Sequence, residues 1–324
     1  MNKSNSLILA LPKGRVYEDF TPLLEKTQFA IKDDVKKSRK MLLDTKHPSV
    51  KVLIIRGWDV PTYITSGAAH MGIVGKDEHH KNLMNCLCDE KKIDFKVIES
   101  GSRPTSVKTR IIADNRQLAR IDNEVTDEIS DKDVSSFIDI IDKNIKNIDG
   151  VIIQDYNKGL LTSSLIKYII DCSNKNEVSV YVDPKFNNYS SYKGVRLFKP
   201  NLVEYTAIAK EEEFGPLPES GFNFKDYMNS EILLLTLGSS GMSLYHDGTH
   251  ESIPTQARQV FDVSGAGDTV IATFALNDLC GLKPLESAMI SNLAAGRVCE
   301  DVGVSPITID SLNDFFSHHY NLDL

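Results

Sequence analysis

Short apolar runs alternate with amphipathic stretches from the start of the chain. Residues 7–15 predict a buried strand that ends in a basic Pro-Gly turn, and residues 16–27 carry apolar side chains at helical spacing. Two further apolar runs, 52–56 and 71–74, predict strands, and a helix capped by Asp59 is expected between them. The first 75 residues therefore predict a β-α-β-α-β opening of a parallel sheet.

The same alternation continues downstream, so the predicted fold class is α/β: a mostly parallel sheet with helices on both faces. Strands are expected at 107–113, 150–154, 178–182, around Leu197 and at 233–236; helices are expected at 163–172 and within 123–148. Residues 211–230, rich in Gly and Pro, predict a loop-rich insertion or a short helical region. Polar groups follow each strand, at the edge where open α/β sheets bind ligands. Among them, Asp155 and Asp183 are expected to cap and orient turns.

Composition limits the classes of function. The chain has 324 residues and a formal net charge of −8 without a long basic block, which argues against a nucleic-acid partner. Neither a secretory leader nor a membrane-spanning run is expected, so no membrane partner is predicted. The five cysteines are scattered and odd in number, which favours reduced thiols in the cytoplasm. Cys86 and Cys88 lack a second pair at zinc spacing, so no zinc site is expected there.

The stretch F-D-V-S-G-A-G-D-T at 261–269 carries the most specific chemistry. Gly265, Ala266 and Gly267 lie between a β-type approach and a predicted helix, so their N–H groups and the helix N-terminus converge into an anion hole. Asp268 stands at its mouth. Since a carboxylate repels phosphate, it is interpreted as the base that takes a proton from a hydroxyl during phosphoryl transfer. A glycine turn that Asp268 merely caps is the equally weighted alternative.

This stretch resembles the D-T-x-G-A-G-D motif of the ribokinase-like (PfkB) sugar kinases, in which the last Asp is the catalytic base. The resemblance extends over roughly 73–310 and is nearest to the heptose-7-phosphate kinases of ADP-heptose and lipopolysaccharide synthesis. It implies an ATP-dependent kinase of a sugar phosphate that uses Mg²⁺, and it leaves a homodimer open. An adenylylating partner would then be a separate protein. The matching segments are 73–78, 103–110, 117–122, 155–159, 182–185, 199–204, 236–241, 262–269 and 292–296.

Polar residues after the predicted strands supply candidates for the nucleotide. Lys185 and Asn201 can contact phosphates, and Glu204 can reach a magnesium ion through water. The resemblance implies that Asn201-x-x-Glu204 is the magnesium and phosphate motif and that Asn292 lies near the adenine. Thr236, Gly238 and Gly241 are expected in a loop of the nucleotide site, with a plain tight turn as the open alternative; for Asn292 the alternative is a helix residue without a role.

Basic residues in and after the 107–113 strand are candidates for the substrate phosphate. Lys108, Arg110 and Arg120 can make charge-assisted hydrogen bonds to a phosphorylated sugar, together with Lys185. Cross-strand pairs of the first three with Glu124 and Asp122 are the open alternative.

The N-terminal motifs differ in character from the rest. A-L-P-K-G-R, S-R-K-x-L, R-x-x-D-V-P-x-Y and G-A-A-x-x-G-I-V-G-K-D occur in order and resemble the opening of ATP phosphoribosyltransferase of histidine biosynthesis. His70 stands where that family usually has an acid, and its later diphosphate-binding loop is not found. The four basic residues of this segment either hold phosphates or are solvated strand-end charges: Lys13, Arg15, Arg39 and Arg56.

These resemblances predict an incomplete phosphoribosyltransferase-like segment at 1–77 joined to a kinase domain at 78–324 that lacks its usual N-terminal part. Mismatch at such a joint predicts weak folding or weak activity. Three functions follow. A sugar kinase would release ADP and depend on Asp268; an ATP phosphoribosyltransferase would release pyrophosphate and ignore it; an impaired nucleotide-binding chimera would do neither.

Overall fold

The computed structural model describes residues 7–12, 42–44, 50–55, 71–88, 96–113, 116–255, 263–300 and 306–308. Its strands are β1 (Leu7–Pro12), β2 (Leu42–Asp44), β3 (Val50–Ile55), β4 (Met71–Gly75), β5 (Lys96–Ser100), β6 (Val107–Ala113), β7 (Arg116–Asn123), β8 (Gly150–Gln154), β9 (Ser179–Asp183), β10 (Leu197–Phe198), β11 (Ile232–Thr236), β12 (Met242–His246) and β13 (Thr249–Ile253).

The α-helices of the described ranges are α1 (Glu78–Cys88), α2 (Asp131–Asn144), α3 (Ser163–Lys175), α4 (Leu202–Glu211), α5 (Glu219–Tyr227), α6 (Ala266–Leu279) and α7 (Pro284–Cys299). Short 3-10 helices span Ile145–Asn147, Phe186–Ser191 and Gly238–Ser240. No helix among the described residues is long and apolar enough to cross a bilayer.

The chain divides into two units. The first comprises residues 1–58 and 108–122; in it β1 pairs parallel with β3, and β2 pairs antiparallel with β3. The strand predicted within 7–15 is observed as β1, the one predicted at 52–56 is observed as β3, and the basic turn predicted at the end of the first lies outside the described residues. The helices predicted at 16–27 and after Asp59 lie outside the described residues, and the predicted division at residue 77 stays a prediction.

The second unit, 59–107 and 123–324, contains a six-stranded sheet. Its strand order is β13-β12-β11-β10-β9-β8; β8 to β11 are parallel, and β12 and β13 continue the sheet as antiparallel strands. The parallel strands lie where apolar runs predicted them, so the mostly parallel sheet is confirmed. In the same unit β4, also predicted, pairs parallel with β5.

Alternate residues of the central strands enter two separate cores, because successive side chains of a strand point to opposite faces. Val180, Val182, Leu233 and Leu235 pack on one face beneath α2 to α5. The intervening residues pack on the other face against α6 and α7: Tyr181, Ile232 and Leu234. Burial on both faces explains why these strands read as continuous apolar runs in the sequence.

The helices on the first face begin where the sequence supplies side-chain caps. The Ser130 hydroxyl accepts from the Asp133 N–H at the start of α2, and the Thr162 hydroxyl accepts from the Leu165 N–H at the start of α3. The stretch 211–230, predicted as a loop-rich insertion or a short helical region, contains the nine-residue helix α5. Phe224 of α5 is fully buried among several aromatic rings, and this packing holds α5 in place: Phe198, Tyr205 and Phe214.

The opposite face is covered by α6 and α7. Helix α6 buries Val270, Ile271 and Phe274 against the sheet. Its C-terminus is a Schellman motif: the Leu282 N–H donates to the Asn277 carbonyl, and the Gly281 N–H donates to the Asp278 carbonyl. The chain then turns into α7, which begins with Pro284. The packing of α6 on the sheet sets the position of the helix, and the Schellman motif ends it.

Candidate active site

The parallel strands bring polar side chains to one edge of the sheet. Gln154 ends β8, Asp183 ends β9, Lys199 follows β10 and Thr236 ends β11. Helix α6 begins at the same edge, since its Asp268 contacts Gln154 directly. The carboxyl ends of parallel strands and a helix N-terminus therefore meet at one edge, which is where open α/β sheets bind ligands.

The turn before α6 contains a left-handed glycine, whereas the anion hole predicted at Gly265, Ala266 and Gly267 stays a prediction. Gly265 adopts φ 82° and ψ −3°, a left-handed conformation that disfavours other residues, and its carbonyl accepts from the Thr269 N–H at 2.9 Å. The Ala266 N–H donates to the Val263 carbonyl at 3.2 Å. N–H groups of the first helical turn have no intrahelical partner, so this end of α6 favours an anion. The β approach predicted at 259–261 lies outside the described residues.

Gly267 brings the backbone close to a buried cation. A methyl group built on Gly267 would lie 3.7 Å from Lys199 Nζ and 3.9 Å from Asp183 Oδ2. Gly267 lies in the first turn of α6. The positive side chain of Lys199 therefore lies beside the turn whose N–H groups have no intrahelical partner. Both features attract a negatively charged group.

Asp268 lies in the first turn of α6 and is partly exposed. Its Oδ1 accepts from Gln154 Nε2 at 2.7 Å and from the Tyr156 hydroxyl at 3.2 Å. The carboxylate therefore contacts the end of β8 as well as standing at a helix N-terminus. The contact with Gln154 goes beyond the plain N-cap that was the alternative for this residue.

A buried ion pair underlies this contact. Lys199 Nζ lies 3.0 Å from Asp183 Oδ2, and the two side chains are 3% and 10% exposed. The same Asp183 oxygen accepts from Gln154 Nε2 at 2.8 Å. Asp183 thus contacts the residue that holds Asp268, beyond the turn-capping role expected of it.

Asp155 has the role that the sequence predicted. Its Oδ1 accepts from the Asn157 N–H at 2.6 Å, which caps the turn after β8. Its Oδ2 accepts from the Tyr192 hydroxyl at 2.8 Å and from Asn188. Burial, followed by the nearby Asp155 charge and this hydrogen bond, raises the pKa of Tyr192.

Asn201 and Glu204 form a capping box at the start of α4. The Asn201 side chain accepts from the Glu204 N–H at 2.8 Å, and the Asn201 N–H donates to Glu204 Oε2 at 2.9 Å. Lys185 Nζ forms an ion pair with Glu204 Oε1. Although burial acts to lower the pKa of Lys185, the hydrogen bond and the charges of Glu204, Asp183 and Asp155 outweigh it and raise that pKa. Lys185 therefore remains a cation at this edge.

The donors around Glu204 limit how it could hold a metal ion. Both of its carboxylate oxygens already accept, one from Lys185 and one from Asn201. Within the described ranges, no three His, Cys, Asp or Glu side chains gather as a metal site. Mg²⁺ bound mainly by water and substrate phosphates would need no such cluster, and the predicted role of Glu204 toward the ion stays a prediction.

Thr236, Gly238 and Gly241 surround a tight turn after β11. The Leu237 N–H donates to the Gly241 carbonyl, and the Gly241 N–H donates back to the Gly238 carbonyl. Gly241 adopts φ 84°, and a methyl group there would lie 2.0 Å from the Ile253 carbonyl oxygen. Glycine at position 241 is thus required by the turn itself, and the nucleotide contact of this loop stays a prediction.

Asn292 lies in α7 and is 5% exposed. Its Nδ2 donates to the Pro254 carbonyl at 2.7 Å, which ties α7 to the segment after β13. The alternative of a helix residue without a role is therefore incomplete, because the side chain holds backbone. Its position near the adenine stays a prediction.

The residues predicted for the substrate phosphate divide into two groups. Lys185 lies at the edge described above. Lys108 and Arg110 belong to β6 and Arg120 belongs to β7, but their side chains lie outside the described ones. Glu124, their suggested partner, forms an ion pair with Lys158.

Three residues of this edge were assigned no role from the sequence: Gln154, Tyr156 and Lys199. Each directly follows or ends a predicted parallel strand, and that position was the available signal. Tyr156 and Lys199 lie in the matching segments 155–159 and 199–204 but were given no role there, and the neutral side chain of Gln154 gave no reason to choose it.

The comparisons with known proteins agree with this geometry. The family model "pfkB family carbohydrate kinase" matches residues 64–310. The chain belongs to the pfkB family of carbohydrate kinases. It is accordingly a sugar kinase, a transferase, and kinases of this family use ATP as phosphoryl donor.

Curated relatives match a large part of the chain. The bifunctional protein HldE of Sulfurimonas denitrificans is 37% identical over 247 residues, which cover 75% of this chain and 51% of that protein. HldE of Helicobacter pylori is 33% identical over 244 residues, covering 74% and 52% respectively. The chain thus spans about half the length of the curated relatives it matches. None of these findings supports a phosphoribosyltransferase, and the resemblance of residues 1–77 to that family stays a prediction.

Solved structures show the same fold. Ribokinase of Arabidopsis thaliana, solved with ribose and ATP, has a TM-score of 0.60 at 19% identity over 79% of this chain and 85% of its own. Phosphofructokinase-2 of Escherichia coli has a TM-score of 0.67 at 14% identity over 97% of this chain and 96% of its own. The ribokinase-like α/β fold predicted from the sequence is therefore confirmed.

Proposed function

We propose that this protein phosphorylates a sugar phosphate with ATP, at the C1 hydroxyl of heptose 7-phosphate, and that Asp268 is the catalytic base. One observation carries the proposal. A partly exposed carboxylate stands in the first turn of α6, beside the Gly265–Gly267 turn, and its Oδ1 is held by Gln154. A base and an anion-binding backbone therefore lie within one turn of each other.

The proposed reaction is a single transfer. Asp268 accepts the proton of the sugar hydroxyl as the oxygen attacks the γ-phosphorus of ATP. The new O–P bond forms while the bond between the γ-phosphorus and the β,γ-bridging oxygen breaks, and ADP leaves with that electron pair. The proton then passes from Asp268 to solvent.

The negative charge that spreads over the phosphoryl oxygens needs fixed positive partners. The N–H groups of the first turn of α6 provide them without reorganisation. Lys199 Nζ, beside Gly267, adds a cation that is itself anchored by Asp183. Magnesium would supply further neutralisation of the phosphates, and Glu204 would orient one of its water ligands.

The class of sugar rests on likeness. The curated relatives are the bifunctional protein HldE, and the motif series from 103 to 296 resembles the heptose-7-phosphate kinases. A substrate that already bears a phosphate suits basic residues, and Lys108, Arg110 and Arg120 remain our candidates for that second phosphate. The product would enter ADP-heptose and lipopolysaccharide synthesis.

The test is ADP release measured with a coupled assay over a panel of acceptors. We would compare heptose 7-phosphate, fructose 6-phosphate, ribose 5-phosphate and unphosphorylated ribose, for wild type and Asp268→Asn. We expect the highest kcat/KM with heptose 7-phosphate and a loss of about 10²–10⁴-fold in Asp268→Asn. Asp247→Asn, whose side chain is 91% exposed on the β12–β13 hairpin, is the matched control and should match wild type.

Two results would contradict the proposal. Equal turnover of wild type and Asp268→Asn would remove the base from the mechanism. Preference for an acceptor without a phosphate would keep the kinase but reject the proposed sugar class.

A further inference from the structure

Gln154 connects two carboxylates that lie at the ends of different elements. Its Nε2 donates to Asp268 Oδ1 at 2.7 Å and to Asp183 Oδ2 at 2.8 Å. A side-chain amide nitrogen carries two hydrogens, one for each acceptor. The two carboxylates therefore lie within the span of two hydrogen bonds, where their like charges repel.

We propose that Gln154 is a positioning residue that fixes the carboxylate of Asp268 for proton abstraction while separating it from Asp183. The inference rests on the proposed function, because it assumes that Asp268 is the base. It extends that function by assigning a role to a residue at the end of β8.

A buried ion pair and the pairing of two strands support this role of Gln154. Asp183 is pinned by Lys199, and both side chains are nearly inaccessible. The backbones of β8 and β9 are paired in register, with Gln154 opposite Asp183. Gln154 therefore reaches Asp268 from a fixed position, and it holds the carboxylate of α6 relative to the sheet. Fixing a reacting group in this way contributes strongly to rate, since a small misplacement is costly.

The residue type matters as much as its position. An uncharged amide donates to both carboxylates at every pH at which the enzyme works. A cation at position 154 would stabilise the ionised form of Asp268 and so make it a weaker base. A carboxylate at position 154 would add a third negative charge to the cluster. A shorter amide such as Asn would not span both acceptors.

Other charged or titratable groups also face this cluster. Asp183 and Lys199 approach from β9 and the end of β10, Tyr156 donates to Asp268 from the turn after β8, and Lys185 lies beyond Asp183 with its own partner Glu204. These groups are present in every variant described next, so a difference between variants reports on Gln154.

The experiment compares Gln154→Met and Gln154→Glu with wild type, in the full chain. Met retains the length but removes both donors, so we expect kcat to fall by at least about tenfold while KM for ATP changes little. Loss of a donor disfavours the charged carboxylate, so the acid limb of the kcat/KM profile should move to higher pH. Gln154→Glu should move it further, because it adds a negative charge. Asn174→Leu, which removes a 3.1 Å amide hydrogen bond from α3 to the Gly194 carbonyl, is the control and should behave as wild type.

Thermal melting separates a folding defect from a positioning defect. If Gln154→Met melts near wild type and its kcat and acid limb are unchanged, the inference is wrong. If the melting temperature falls but the acid limb stays in place, the role of Gln154 is structural and the inference is also wrong. Asp268→Asn distinguishes the two proposals: turnover that survives Asp268→Asn rejects the proposed function, whereas turnover that is lost there and kept in Gln154→Met rejects only the inference.

Discussion

The two ends of α6 each carry an aspartate that contacts the sheet, yet they are built differently. Asp278 at the C-terminal end is 5% exposed and accepts from Arg196 Nη2 at 2.8 Å, Arg196 Nε at 3.0 Å and the Tyr181 hydroxyl at 2.7 Å. Asp268 at the N-terminal end is partly exposed and accepts from the neutral groups of Gln154 and Tyr156.

The contrast separates a carboxylate that holds structure from one that is suited to chemistry. The bidentate contact with Asp278 is the leading cause of the raised pKa of Arg196, and burial, then the same carboxylate, raises the pKa of Tyr181. A base so firmly paired would not take a proton. Asp268 receives orientation from its neutral donors and faces an edge that a substrate can reach.

The largest expected effect comes from exchanging each aspartate for asparagine. Asp268→Asn should lower turnover by about 10²–10⁴-fold and leave the melting temperature near wild type, because the asparagine oxygen can still accept from Gln154 and Tyr156. Asp278→Asn should lower the melting temperature and leave turnover near wild type, since it weakens the buried contact with Arg196. The coupled assay and a thermal melt on both variants check this, and a shared profile would break the contrast.

Removing the cation at the structural end should be the largest effect on stability. Arg196→Met leaves Asp278 buried without its charged partner, so we expect the free energy of unfolding to fall by about 3–5 kcal/mol. Urea denaturation measures it. In the double variant Arg196→Met/Asp278→Leu the loss should be smaller than the two single losses together, because neither charge is left alone. Full additivity would show that the pair is not coupled.

The glycines at the two ends offer a finer comparison. Gly281 adopts φ 88° in the Schellman motif, so Gly281→Ala should cost about 1–2 kcal/mol. Gly267 is helical and its added methyl would make ordinary contacts, so Gly267→Ala should stabilise by about 0.4–1 kcal/mol. The same methyl would occupy space beside Lys199 and should lower kcat/KM. Unchanged activity in Gly267→Ala would argue against phosphate binding at this turn.

The smallest effect is expected from the ion pair of the site itself. The pKa of Lys185 is raised above 10.5 in the folded chain, so its pairing with Glu204 stabilises fully below that pH and fades as pH rises through the folded value. Because the Lys185 side chain is 39% exposed, the contribution is modest. The melting temperatures of wild type and Lys185→Met should differ slightly at about pH 8, and the difference should shrink as the pH rises through the raised pKa of Lys185. A difference that grows with pH would contradict the sign.

The sequence predicted most strands of the six-stranded sheet. Strands such as β8, β9 and β11 are buried on both faces and therefore consist of unbroken apolar runs, which are easy to recognise. It also predicted the turn at Gly265 and the place of Asp268, since glycine spacing before a helix limits the backbone. It did not predict the link from Asp268 through Gln154 to Asp183. That link joins residues far apart in the chain, and only the pairing of β8 with β9 and the docking of α6 bring them together.

Caps and ligands also compete for the same residues, and the sequence alone does not rank them. Asn201 and Glu204 were predicted as a phosphate and magnesium motif, but the structure also makes them the capping box of α4. Gly241 was predicted in a nucleotide loop, and its close approach to Ile253 already requires glycine. In both cases a structural reason exists besides the proposed functional one.

The burial of the central strands on both faces limits where substitutions can change the acceptor preference of this enzyme. Four of the five residues in each of β9, β11 and β12 are buried, so a polar replacement there is costly unless it finds a buried partner, as Asp183 does in Lys199. Polar substitutions are tolerated at exposed positions of an outer strand such as β13, whereas they are disfavoured in the middle of the sheet. New acceptor preferences must therefore arise in the loops that follow the strands, where a change of side chain leaves both cores untouched.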